Sequence, residues 1–428
     1  MEVSILILSF IILISIRVPV AWSLGISSLL TILVNVDTYP ALTTIAQRVV
    51  TGLDSFSILA IPFFILAGHI MNKGGIAERL IAFAKALVGS LPGGLAHVNI
   101  VAAMLFGAIA GSAGAAAAAI GGFMSDQMEE SGYDKGFGVA VNITSATTGL
   151  VIPPSNIFII YSVASGGVSI GALFLAGYLP GILTGLFLMV VAYIWAKRKG
   201  YPTADRSSIK TVLVTFVKAL PSLFLLVVVI GGIVAGIFTA TEASSVAVIY
   251  CLILAALYKE ISLKDIRPIF VESSSTIAIV MLLIAMSIAM SWVLSYENIP
   301  QVVTEALLGW SDNKIMVLII INIILLIVGI FMDMTPAVLI FTPIFLPVVT
   351  AMGIDPVHFG IIMVLNLCIG LCTPPVGSVL FIGVGVARTS IQKVIRPLLP
   401  LFLAMIFALI VVSVFPELSL WLPRLFGF

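Results

Sequence analysis

Apolar residues run in long blocks along this chain, at about 3–16, 19–36, 54–71, 94–110, 112–125, 137–165, 172–196, 220–238, 241–258, 273–295, 315–331, 334–351, 357–386 and 397–415. The polar stretches between them are short; the longest, 197–218, reads as a connector and not as a soluble domain. A membrane helix needs about 20 apolar residues, and several of these blocks fall below that. Two of the blocks are interrupted. Gly149-Leu150-Val151-Ile152-Pro153-Pro154-Ser155-Asn156 breaks one, and Gly370-Leu371-Cys372-Thr373-Pro374-Pro375-Val376-Gly377 breaks another 221 positions later. Each proline removes a backbone donor and drives the residue before it out of helical geometry. In hydrocarbon such freed carbonyls are tolerated only where protein or a water-filled cavity covers them. Each break therefore points to a site at mid-membrane.

The offset reaches beyond the breaks. Gly132 and Asp134 match Gly353 and Asp355, Ser169-Ile170 match Ser390-Ile391, and block 19–36 falls on 241–258. The chain reads as two repeats, 1–218 and 219–428. Interrupted segments in matching positions of two repeats are the sequence signature of a secondary transporter's site. Just upstream of the breaks stand Gly111-Ser112-Ala113-Gly114 with its alanine run, and Asp333-Met334-Thr335-Pro336 with Pro343 and Pro347. Their matched positions predict re-entrant helical hairpins over 111–131 and 332–352, followed by broken helices over 137–165 and 357–386. Amphipathic stretches 74–89 and 298–310 predict interfacial arm helices that join a moving part to a fixed one. The expected fold is an all-α polytopic membrane protein of two inverted repeats with re-entrant hairpins. One count conflicts with this: if every other block crosses, each repeat has six crossings, whereas inversion needs an odd number. The adjustment is expected at the repeat starts, near Arg17-Val18-Pro19 and Thr239-Ala240-Thr241-Glu242. Blocks 19–36, 172–196, 241–258 and 397–415 are expected to form the fixed scaffold, and the glycine and alanine of 107–122 to give a smooth sliding surface.

Composition narrows the function. With 61% hydrophobic and 9% charged residues and a mean hydropathy of +1.27, a soluble protein is excluded. The net charge of +1 leaves no basic surface for nucleic acid. Met1 to Ile16 lacks a basic leader and a cleavage site, so it reads as membrane-embedded. Cys251, Cys368 and Cys372 form no CxxC pair and read as small apolar filler. No GxxxxGK[ST] loop occurs, so ATP bound by this chain does not drive it. Lysine and arginine cluster in 197–218 and 388–396, which places those segments in the cytoplasm.

The breaks supply their own chemistry. A helix stopping at Gly149 leaves carbonyls of partial negative charge, and one restarting near Ser155 presents amides of partial positive charge. Ser155, Asn156 and Thr373 add side-chain oxygens. A neutral, oxygen-only set suits sodium; a proton-driven carrier needs a buried titratable relay, in which this core is poor. Asp333 and Asp54 are the candidate intramembrane acids, with a helix cap the competing role for Asp333. Thr239 with Glu242 reads as a capping box. His69, His97 and His358 read as packed or interfacial. No arginine stands within the core blocks, so an anionic substrate would rest on helix ends and hydroxyls.

GLVIPPSN at 149–156, GLCTPPVG at 370–377, FMDMTPAV at 331–338, GIFTATEA at 236–243 and the early Arg17-Val18-Pro19-Val20-Ala21 together resemble the large membrane subunit of TRAP (tripartite ATP-independent periplasmic) transporters. That family lies within an ion transporter superfamily of elevator-type carriers. The resemblance implies sodium-coupled import of an organic acid across the bacterial inner membrane, with sialic acid favoured over C4-dicarboxylates. It also implies a small four-helix membrane partner and a periplasmic substrate-binding protein. It implies two sodium sites: Ser112 with Gly149, Ile152 and Ser155, and Thr335 with Gly370, Thr373 and Gly377. Ala113, Gly114, Asn156 and Pro336 would then touch the substrate. Two other classes compete. An intramembrane hydrolase would use Ser112 as nucleophile, but residue 110 is alanine and the GxSxG pattern fails. A passive channel would need an open pore, whereas two facing hairpins suit an occluded site.

Overall fold

The computed structural model describes residues 2–203, 206–311 and 313–428. In chain order the helices are α1 (Glu2–Ser15), α2 (Val20–Ile32), α3 (Thr38–Gly52), α4 (Ala60–Lys73, after a 3-10 turn at Phe56–Leu59), α5 (Ile76–Val88), α6 (Gly94–Ala110), α7 (Ala113–Glu130), α8 (Lys135–Gly149), α9 (Asn156–Ala164) and α10 (Ile170–Lys199). The second half holds α11 (Ile209–Val234), α12 (Ala240–Tyr258), α13 (Leu263–Tyr296), α14 (Ile299–Trp310), α15 (Lys314–Phe331), α16 (Met334–Ala351), α17 (Pro356–Gly370), α18 (Ser378–Val386), α19 (Ile391–Val414) and α20 (Glu417–Leu425). Among the described residues there is no strand, and eight helices are long and apolar enough to cross a membrane.

Contacts between loops sort the helix ends onto two faces. The end of α10 meets the start of α6, where a Cβ on Gly93 would touch Ala196, and the turn after α7, where Tyr133 packs on Tyr201. The end of α4 and start of α5 meet the α12–α13 turn through Arg79, which lies over Tyr258 and pairs with Glu260. On the other face Asn35 bonds Glu297, and Tyr161 Oη donates to Pro356 O at 2.7 Å. Of the 20 lysines and arginines, all among the described residues, the second face holds only Arg48, Lys314 and Arg424. The first face is therefore cytoplasmic.

The hairpins differ from the sequence expectation. Residues 113–130 form one unbroken helix, and the hairpin is made by α6 and α7 together, turning at Gly111-Ser112. The hairpin begins and ends on the cytoplasmic face. In the second half α15 and α16 turn at Met332-Asp333, and the outer face holds both ends, since a Cβ on Gly353 would lie 3.4 Å from Lys314 Nζ. The segments 94–110 and 315–331, expected to cross, are thus hairpin limbs. Removing them leaves five crossings per repeat, an odd number, and the hairpins enter from opposite faces. The adjustment does not lie at the repeat starts, where α1 and α2, like α11 and α12, are separate helices. Alanine and glycine hid the first turn. Gly111 adopts a left-handed φ of 60° that ends α6, and Ser112 caps α7 by accepting from Ala115 N at 3.2 Å.

Packing divides the molecule in a second way that the sequence reading had wrong. Helices α10 and α19, expected in the scaffold, pack on α6, α8 and α17 and so belong with the hairpins and broken helices. The block is α6–α10 with α15–α20, and the scaffold is α1–α4 with α11–α13. Arm α5 bridges α6 and α11, and arm α14 lies on α16. The small residues of 107–122 serve two surfaces: Ala110 meets the scaffold, where a Cβ on Gly68 of α4 would stand 2.6 Å from its carbonyl oxygen, and others face inward. A Cβ on Gly114 would meet Ile382 of α18, and one on Gly121 would meet Asn142 of α8, so these glycines let helices inside the block approach closely. The capping box at α12 forms as expected, with Thr239 N donating to Glu242 Oε2 at 2.8 Å.

Candidate functional site at the paired helix breaks

Each hairpin crosses its own broken helix at a glycine pair. A Cβ on Gly107 would stand 2.8 Å from Gly149 Cα, and one on Gly329 would stand 3.1 Å from Gly370 Cα. Backbone on backbone at these crossings carries each hairpin tip onto the break beside it. At the first, a Cβ on Gly111 would touch Asn156 Nδ2 at 2.9 Å. At the second, Ser378 Oγ donates to Asp333 Oδ1 at 3.3 Å. The halves also interlock: α7 packs on α18 and α16 on α9, while Thr147 Oγ1 lies 3.2 Å from Cys372 Sγ where the two breaks meet. Both Pro-Pro bonds are cis.

Four helices therefore end and four begin around one point. α6, α8, α15 and α17 bring carboxyl ends, and α7, α9, α16 and α18 bring amino ends. Such ends carry about half a charge each, so the place offers oxygens to a small cation beside donors to an anion. A cavity of about 530 Å³ opens there. The block lines it with Gly111, Ser112, Ala113, Gly114, Asn156, Thr335 and Ser378, together with Asp333, whose carboxylate is exposed to it. The scaffold closes the other side with Gly68, His69 and Asn72 of α4 and Thr276 and Val280 of α13. His69 Nδ1 lies 3.9 Å, and Lys73 Nζ 3.5 Å, from the Glu272 carboxylate at the cytoplasmic end.

The residues expected at the sodium sites fall into two groups. Ser112 and Thr335 stand at the tips and line the cavity. Gly149, Ile152, Ser155, Gly370, Thr373 and Gly377 lie behind its wall, in the breaks. Ser155 is 1% exposed and its hydroxyl has no hydrogen-bond partner. An unpaired buried hydroxyl costs about 1–3 kcal/mol, which an ion or an ordered water at this place would relieve. In the second break Thr373 Oγ1 donates to Ile369 O at 2.7 Å. Leu371 O and Thr373 O converge to 2.8 and 2.9 Å from the Cβ that Gly377 lacks. This donor set is neutral oxygen, which fits a monovalent hard cation. Among the described residues no group of three His, Cys, Asp or Glu could hold a metal ion instead. Of the residues expected to touch substrate, Ala113, Gly114 and Asn156 line the cavity, whereas Pro336 is buried in α16 and does not.

The sequence profile of the tripartite ATP-independent periplasmic transporter, DctM component, matches residues 7–418. The chain belongs to this family. As a TRAP large permease it is a multi-pass inner-membrane protein of transport, not an enzyme. It is 55% identical to the uncharacterized protein YgiK of Salmonella typhimurium, over 98% of this chain and 96% of that one. It is 40% identical to the sialic acid TRAP transporter large permease protein SiaM of Vibrio cholerae, over 89% of each. It is 38% identical to the C4-dicarboxylate TRAP transporter large permease protein DctM of Rhodobacter capsulatus, over 96% of each. Its fold is that of the Alcanivorax borkumensis YdaH transporter, described as having an unusual topology, at a TM-score of 0.67 and 13% identity over 88% of this chain and 89% of that one.

Sequence reasoning had treated α4 and α13 as plain crossings and so missed the scaffold wall of this TRAP permease. The signal was present in the spacing of Ile61, Ile65, Gly68, His69 and Asn72, which repeats at helical period and ends in two polar residues at the edge of an apolar block.

Proposed function

We propose that this chain imports an organic acid by sodium-coupled secondary transport, with the acid in the central cavity and one sodium at each hairpin–break pair. The observation that carries the reading is the buried, unpartnered Ser155 hydroxyl in a break that a hairpin tip covers. Ser112, Gly149, Ile152 and Ser155 form the first sodium site, and Thr335, Gly370, Thr373 and Gly377 the second. Sodium there screens the carbonyl ends, and the amino ends of α7, α9, α16 and α18 then receive the substrate carboxylate. Asn156, Ser112 and Ser378 provide hydrogen bonds. Asp333 brings a carboxyl group to the same space, which suits a hydroxylated monoacid such as sialic acid better than a C4-dicarboxylate; relatives named for both are almost equally similar.

Alternating access is a rigid-body shift of the block against the scaffold about arms α5 and α14. Both cavity walls, block and scaffold, are separate packing units, which supports sliding over gating by the hairpins alone. A small four-helix membrane subunit widens the scaffold, and a periplasmic binding protein delivers the acid. Uptake into proteoliposomes holding the permease and its small partner, with binding protein outside, tests the reading. An inward sodium gradient should concentrate the acid and potassium should not. Uptake that only equilibrates would favour a passive channel.

A further inference from the structure

The wall that closes the central cavity continues past it. A second cavity, of about 510 Å³, lies toward the outer face between the same two bodies. Six hydroxyls line it: Ser55 and Ser57 before α4, Ser162 of α9, and Ser287, Ser291 and Ser295 of α13. Helices α9 and α13 thus line both cavities, one nearer each face, while α4 lines the central one and the segment before it the outer one. Trp292 forms part of the second wall, with the Arg48 guanidinium 5.1 Å from its ring centre.

Ser287 is the informative residue. It is 2% exposed, lines this cavity, and its Oγ has no hydrogen-bond partner. A helical serine can donate to the carbonyl four residues back, as Ser273 in the same helix does to Ile269 O at 2.7 Å. Ser287 does not, so its hydroxyl is left for something in the cavity. Its register matters as well. Ser287 follows Thr276, and Ser291 follows Val280, by eleven residues. Eleven residues make about three helical turns, or roughly 16 Å, so each pair points the same way at two heights.

We propose that the scaffold wall of the second cavity, Ser287 and Ser291 of α13, forms the outer binding position of the transported acid. When the block stands about 16 Å nearer the outer face, the hairpin tips meet Ser287 and Ser291 in place of Thr276 and Val280. The serine hydroxyls then bind the hydroxyl and carboxylate oxygens of the acid as it arrives. This rests on the rigid-body reading given above.

The test uses the complete transporter in proteoliposomes, with sialic acid and succinate as probes. Substituting Ser287→Ala together with Ser291→Ala should raise the half-saturating concentration for entry from outside about tenfold, from two lost hydrogen bonds. Half-saturation for exit, measured in efflux, should stay within about twofold on the same scale. A merely structural role would shift both sides alike, and equal shifts or none overturn the proposal. A second readout survives poor folding of that variant. Thr335→Cys should form a disulfide with Thr276→Cys in one state and with Ser291→Cys in the other, since native Cys251, Cys368 and Cys372 are buried. Crosslinking to Thr276→Cys alone under all conditions also overturns it. Sodium dependence of the unmodified transporter is read in parallel; its failure counts against the sodium sites, while the outer position stands or falls on sidedness and crosslinks.

Discussion

Gly149→Ala separates two opposing effects whose sizes the structure sets. Alanine favours a helix over glycine by up to about 1 kcal/mol, and Gly149 is the last residue of α8. Against this, the new Cβ would stand 2.7 Å from Ala103 O and 2.9 Å from Gly107 Cα, both backbone atoms that cannot rotate away. α6 must move off α8 by several tenths of an ångström, and overpacking of this kind costs about 1–3 kcal/mol. The steric term wins. Because the strain lifts the hairpin tip from its break, the sodium requirement should rise, by about five- to 150-fold if all of the cost falls on the sodium-bound state. Gly231→Ala in α11 is the control, since a Cβ there meets nothing within 4 Å; it should raise Tm slightly and leave sodium alone. The assay is Tm of the purified protein with and without sodium, beside sodium titration of uptake. If Gly149→Ala behaves like Gly231→Ala in both, the glycine crossing does not position the site.

Other outcomes follow from the same geometry. Ser155→Ala removes an unpaired buried hydroxyl, so Tm in sodium-free buffer should hold or rise by about 1 °C, the shift that about 1 kcal/mol produces in a chain of this size, while the sodium-induced rise in Tm shrinks. Thr373→Ala should increase the sodium needed for half-maximal uptake several-fold, and Thr373→Ser should restore it; an unchanged sodium curve in well-expressed protein removes Thr373 from the site. The permease by itself should show no uptake, and robust transport without the small subunit and binding protein would refute the need for partners.

How much of this was legible beforehand depends on the residue. Proline is unambiguous, so both breaks, and the 221-residue offset between them, could be placed from the sequence. The hairpin tips were located, but not their limbs. α6 and α15 are mostly apolar and end at turns only two residues wide, Gly111-Ser112 and Met332-Asp333, so hydropathy cannot tell a limb from a crossing. Membership of the moving block was illegible for a different reason. α10 and α19 match in length and polarity the helices of a scaffold, and only their packing on α6, α8 and α17 reveals their place. Asp333 was read as a candidate intramembrane acid, with a helix cap as the competing role. It does sit at the N-cap position of α16, yet its carboxylate accepts from Ser378 across the second break and faces the cavity. On the scaffold wall, Gly68, His69 and Asn72 of α4 left a signal in the sequence, whereas Thr276 and Val280 required tertiary structure, because α13 carries no breaker where it faces the site.

The claim that two sodium ions ride with each acid is tested most directly by the balance point of transport. Proteoliposomes of the complete system are held at zero membrane potential, and the acid ratio that stops net flux is measured against an imposed sodium ratio. Two ions per acid require a tenfold sodium gradient to balance an acid gradient of about 100-fold, since each tenfold ratio is worth about 1.4 kcal/mol. The account predicts that square-law dependence, with a slope falling toward one in Ser155→Ala or Thr373→Ala. A balance point that ignores the sodium ratio would contradict it.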